Sequence, residues 1–298
     1  MNYSEFLSAI CSHMKNRYMD ASVSIHPVLK NNNKRLDGLL ILQPGENIAP
    51  TIYLNSYYTR YRKGTSLDRL FEEIASLYEK HRFPSLFDLS LLRDFERIRN
   101  RISFRLINRA SNPELLADIP YLPFLDLAIV FFFTLEDEII GNSTVLIHNS
   151  HLNLWEITAK ELFRLAQTNS RFLTGYEIIP MERLLFPDAK KETLPPSSAS
   201  EIFVLSNRTR VFGAACLLYD DILASFAGML QDDFYVLPSS IHEVLLLPVK
   251  RSPSPNSLLE MVREVNEQEV APEDILSNQV YLYRAKDRQL GIALAAGN

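Results

Sequence analysis

Residues Leu237-Pro-Ser-Ser-Ile-His-Glu243 place a hydroxyl, an imidazole and a carboxylate within four positions. Such a set could do hydrolytic chemistry, with His242 as general base and Ser240 or Glu243 beside it. On an extended strand Ser240 and His242 share a face, but Glu243 points the other way, which is poor for a relay. The Gly-x-Ser-x-Gly elbow is missing, as is a glycine nest for an oxyanion. His242-Glu243 is followed by Leu246, where a zinc-binding His-Glu-x-x-His helix needs its second imidazole. The same residues suit a tight corner, with hydroxyls satisfying backbone groups and the imidazole locking the turn. The corner is the preferred reading.

Other residues could gather ligands. His148 and His151 lie three apart, as two metal ligands on a loop can, but the spacing signals no third. A polar turn before Trp155 accounts for them. Asp220-Asp221 and Asp232-Asp233 bracket one expected helix, and helix ends explain them better than a divalent cation does. No metal or cofactor is expected. Arg60, Arg62 and Lys63 sit among Tyr53, Tyr57, Tyr58 and Tyr61, while Arg93, Arg97 and Arg101 fall on one expected helix stripe. Arginines among aromatics serve single-stranded nucleic acids, and Tyr and Arg are also enriched where proteins meet. The candidates for ligand or partner contact are therefore Ser239, Asn207, Tyr219, Arg60, Arg62, Lys63 and Arg97.

The stretch Phe203-Val-Leu-Ser-Asn207, Gly213-Ala-Ala, Leu218-Tyr219 and Tyr235-Val-Leu-Pro-Ser-Ser-Ile-His-Glu-Val244 resembles a bacterial family of unknown function with a YVLSN…GA…Y…LPSS-x-HE series. The Asn2-to-Phe6 opening fits the same family. In layout the chain is more remotely similar to the YtpQ-like family, through Trp155, Thr158-x-x-Glu161-Leu162, Ala166 and Asn169. The resemblance implies an architecture and no activity.

The elements that must position these residues read as α+β, with mixed, mainly antiparallel sheets and flanking helices. Residues 3–18 form a helix with Phe6, Ile10 and Met14 on one stripe. Strands at 22–28 and 36–42 turn across Asn31-Asn32-Asn33, and a helix follows from Leu67 to Tyr78, capped by Thr65. A second helix is expected over 89–99 and a strand over 102–108. Strands at 127–134 and 144–148 precede a helix opened by the capping box Thr158-x-x-Glu161 and ending near Asn169. A hairpin of 201–206 with 211–217, a helix over 219–230 and strands at 234–237 and 242–249 follow. Ser257-x-x-Glu260 opens the last helix, and 279–284 with 290–294 close the chain as a hairpin.

Composition bounds the rest. The 298 residues are 47% hydrophobic and 22% charged, enough for sizeable cores. The net charge of −5 excludes a uniformly basic nucleic-acid binder. Charge is uneven, +6 over residues 1–110 and −11 over 111–298. Prolines 113, 120 and 123 set the expected boundary between a basic unit, 1–112, and an acidic unit, 113–298, with an exposed loop at 187–200. Cys11 and Cys216 fit unpaired thiols in a reducing, cytoplasmic setting. The apolar run Ile129–Phe133 is too short for a membrane span and suits a buried strand. Function reads first as a soluble intracellular protein working through a binding or protein-interaction surface. The alternatives are a hydrolase using His242 with Ser240 or Glu243, and nucleic-acid or nucleotide contact through the basic third.

Overall fold

The computed structural model describes residues 1–82, 86, 88–137, 141–186 and 202–293. By compactness the chain forms two units, Met1–Asp94 with Leu135–Ser143, and Phe95–Thr134 with Thr144–Asn298. The fold is α+β, and the strand pairings described are antiparallel.

In the first unit α1 (Tyr3–Arg17) opens with a capping box, in which Asn2 and Glu5 each bond the other's backbone N–H. β1 (Ser22–Leu29) and β2 (Arg35–Leu42) pair around Asn31–Asn33, where Asn32 and Asn33 take φ of 57° and 53°. Asparagine tolerates that left-handed turn. β3 (Ile52–Tyr53), α2 (Asn55–Arg62) and α3 (Leu67–His81) complete the unit. Phe6, Ile10 and Met14 of α1 and Leu70, Ile74 and Tyr78 of α3 are buried with Leu39 and Ile41 of β2. Burying each such side chain favours folding by roughly 1.5–3 kcal/mol. Ser66, not Thr65, caps α3, because its hydroxyl accepts from the Arg69 N–H.

The second unit begins with α4 (Phe95–Ile98) and β4 (Ile102–Asn108). The expected helix over 89–99 is instead three separate turns, so Arg93, Arg97 and Arg101 form no single stripe. α5 (Pro113–Asp118), β5 (Tyr121–Phe124), β6 (Leu127–Asp137) and β7 (Gly141–Leu146) follow, residues 135–137 and 141–143 counting with the first unit. β6 lies between β4 and β5 and also pairs β7, which sets the apolar run Ile129–Phe133 as a buried central strand. β4 hydrogen-bonds β6 along its whole length.

α6 (Asn149–Trp155) and α7 (Ala159–Thr174) come next, the latter with the Thr158–Glu161 capping box and one turn longer than expected. Then come β8 (Glu177–Pro180), α8 (Met181–Leu185), β9 (Phe203–Ser206), α9 (Asp220–Leu230), β10 (Phe234–Leu237), β11 (Val244–Pro248), α10 (Pro255–Gln268), β12 (Tyr281–Arg284) and β13 (Gln289–Ile292). Six of these strands make one sheet in the order β13-β12-β10-β11-β9-β8. β10 and β11 share a sheet with β9 and are joined by the corner at Pro238–Ser240, where proline's missing N–H costs no ladder bond. Ser254, with Pro255 behind it, caps α10 instead of Ser257. The expected strand at 211–217 is a 3-10 helix, Gly213–Leu218, every residue of which is buried. The loop expected at 187–200 lies outside the described residues. Both cysteines are free thiols, and burial pushes Cys216 up to about 12. No helix among the described residues is long and apolar enough to cross a membrane.

A carboxylate that sequence reading passed over ties the two sheets of this unit together. Asp126, between β5 and β6, accepts from the Ser277 hydroxyl at 2.6 Å and from the buried Tyr281 hydroxyl. Burial, then the nearby carboxylate, drives the Tyr281 pKa far upward. Asp126→Asn keeps the shape but replaces charge-assisted bonds by neutral ones, so a loss of about 1 kcal/mol in urea unfolding is expected. An unchanged midpoint would remove Asp126 from the account.

Candidate functional site

The motif residues converge in the second unit. The turn 207–211 is closed by Asn207, whose Nδ2 donates to the Val211 carbonyl and whose Oδ1 accepts from the Val211 N–H and the Thr209 hydroxyl. Phe212 then adopts φ 59°, a left-handed conformation that bulky residues rarely take. Gly213 follows, packed where a Cβ would collide with the Ser206 hydroxyl, the His242 carbonyl and the Asn207 amide. The Ser206 hydroxyl donates to the His242 carbonyl at 2.8 Å, and the Ala214 N–H donates to the Ile241 carbonyl. These closures turn the apolar run after Val211 into a buried 3-10 helix.

The corner itself is equally tied. Ser240 is 7% exposed, bridges Ile275 and accepts the His242 N–H at 3.0 Å. The Ser239 carbonyl accepts from the Leu276 N–H. His242 lies in the bend before β11, not on a strand, so Ser240 and His242 do not share a strand face. Its Nδ1 accepts from the Phe212 N–H at 3.4 Å, which leaves the proton on Nε2, 3.5 Å from an Asp274 carboxylate oxygen. The ring stacks on Phe212 with centroids 5.9 Å apart and planes 11° from parallel.

On Phe212 the stack continues. The Arg105 guanidinium of β4 lies 4.7 Å from the ring centroid, and Phe132 meets the ring edge-on. The Arg105 Nε is buried with no hydrogen-bond partner, and burial pushes the guanidinium down to about 10.

Beyond Ser206 and Glu243 the sheet carries an open groove of about 290 Å³. Ile179, Val204 and Leu245 form its floor, and Met181, Leu184 and Leu185 form one side. Its polar end holds Glu177, Arg210 and Glu243. Arg210 reaches Glu177 through Nε and Nη2, at 3.2 and 3.1 Å. Glu243 is half-buried and has no hydrogen bond or ion pair among the described residues. Glu243 thus faces the groove while His242 is held in the corner, and the two carry no common geometry.

The remaining candidates lie outside this cluster. Tyr219 is 6% exposed against Phe104, and burial raises its pKa. Arg60 pairs with Glu73 at 2.6 Å, while Arg62, Lys63 and Arg97 are exposed. Tyr58 and Tyr61 pack onto Phe6, so these rings belong to the first unit's core. His151 accepts the His148 N–H through Nδ1 and stacks on Trp155; burial, then His148, lowers its pKa. His148 Nδ1 lies 2.7 Å from Asp118. Asp221 pairs with Arg171, and Asp232 and Asp233 accept the Lys250 and Ala285 N–H groups. Among the described residues, no three His, Cys, Asp or Glu side chains gather as a metal site. The aromatic stack was invisible to sequence reading, since Arg105 and Phe132 lie a hundred residues from His242 and each fits its own strand pattern.

Neither curated proteins nor solved structures gave a match. The segments that tie Ser206, Asn207, Gly213 and His242 together fall within residues 3–285, which match the family described as "Family of unknown function (DUF5688)", and the chain belongs to that family.

Proposed function

We propose that the chain is a binding module whose second unit receives a segment of a partner protein in the groove beside β9 and β11. The observation that carries this is Glu243, a half-buried carboxylate without a cation, at the end of an apolar trough. Two carboxylates and one guanidinium leave that end net negative. The occupant that complements it has apolar side chains for Val204, Leu245 and Leu184 and a basic residue for Glu243. The motif corner acts as the scaffold that aims Glu243 outward. A hydrolase built on His242 has less support, because the Ser240 hydroxyl and the imidazole are both engaged by backbone N–H groups. An intracellular setting and a distant kinship to the YtpQ-like family, based on the Trp155-to-Asn169 layout, belong to the same reading.

Methyl NMR of the full chain tests it with two probes, acetyl-Leu-Leu-Lys amide and acetyl-Leu-Leu-Glu amide. The expected result is saturable shifts at Met181, Leu184 and Leu245, with the lysine peptide tighter by roughly fivefold, the worth of about 1 kcal/mol for a partly exposed pair. Glu243→Gln should erase the preference. Equal response to both peptides, or none, would contradict the reading. Hexylamine binding as well as the lysine peptide would make the groove a small-amine site instead.

A further inference from the structure

Arg105 stands mid-strand in β4, the edge strand beside β6, opposite Val130 and among side chains that are largely apolar. A guanidinium buried away from water is normally paired, because an uncompensated charge in an apolar setting is strongly unfavourable. Here the Nε–H is sealed without an acceptor, and no carboxylate among the described residues pairs with the side chain. The Phe212 ring 4.7 Å away supplies a cation–π contact, which offsets part of the burial but gives the N–H donors nothing to bond. Phe212 is itself held at φ 59° by the closed turn before it and by His242 behind it. Arg105 is half-buried, and a strained aromatic stacked with a guanidinium whose Nε–H is sealed and unpaired is an arrangement that suits a preformed ligand site.

We propose that Arg105 anchors a binding site for a small monocarboxylate, with Phe212 and Phe132 as the aromatic wall beside it. The planar fork of the guanidinium matches a carboxylate in two parallel N–H···O bonds. Charge decides between the oxyanions. One carboxylate cancels the single positive charge, whereas a phosphate dianion leaves excess negative charge in the same half-buried place. The His242 imidazole stacked on Phe212 is committed elsewhere, since it accepts through Nδ1 and faces Asp274 through Nε2. Arg105 and the aromatic wall take no part in the groove that holds Glu243, so the two readings stand or fall separately.

The test follows the Arg105 Nε–Hε resonance of the full chain, assigned by its loss in Arg105→Met. Sodium benzoate is titrated against sodium phosphate and sodium chloride at equal ionic strength. The expected result is a saturable shift with benzoate alone and a benzoate-dependent rise in melting temperature. Arg105→Lys, which keeps the charge but lacks the fork, should weaken the benzoate response at least tenfold. A benzoate response no larger than that of chloride overturns the proposal, as does a full response retained by Arg105→Lys. A saturable shift with phosphate and none with benzoate overturns the assigned ligand class.

Discussion

Gly213→Ala is expected to destabilise the second unit by about 3 kcal/mol, read as a lower urea midpoint with an unchanged slope. The added methyl would press on the Ser206 hydroxyl, the His242 carbonyl and the Asn207 amide, the last at 2.6 Å. Two of these three are backbone, so no rotamer change relieves the clash. Truncating Ser206 as well should therefore rescue little. Gly228 is the internal control, because it is an exposed residue of α9 with nothing within 4 Å of its would-be Cβ. Gly228→Ala should stabilise by roughly 0.5–1 kcal/mol through helix propensity. Equal, mild responses at the two positions would mean that the corner is not closely packed around Gly213.

The elements with strong local signals were legible in the sequence. α1 shows its Phe6-Ile10-Met14 stripe, α7 its capping box, and the Asn31–Asn33 turn its tolerance for positive φ, and each of these is decided within a few residues. The 3-10 helix at 213–218 reads as a strand from sequence because a fully buried apolar run has no periodicity to separate the two. What decided it is non-local: Ile241 and His242 supply the carbonyls that hold Ala214 and Ser206. Capping positions slipped from Thr65 to Ser66 and from Ser257 to Ser254, since neighbouring hydroxyls compete and only backbone geometry selects among them. The motif LPSSIHE was legible as a corner. The placement of Glu243 in a groove and of His242 in a stack was not, because the first depends on β8 and β9 and the second on Phe212, all far away in sequence.

His242→Ala tests the central claim, that the motif is a structural lock that aims a binding surface and is not itself a reactive centre. The substitution removes the stack on Phe212, worth about 0.5–1.5 kcal/mol, and orphans the Phe212 N–H at a further 1–3 kcal/mol or so. A total near 2–3 kcal/mol is expected. His242→Asn should recover part of it, since its Oδ1 can take the place of Nδ1 as acceptor. The measurement is thermal unfolding of the two variants beside the native chain. A clearly lowered midpoint is expected for His242→Ala and an intermediate one for His242→Asn. A midpoint unaltered in His242→Ala would contradict it and return His242 to the list of reactive groups.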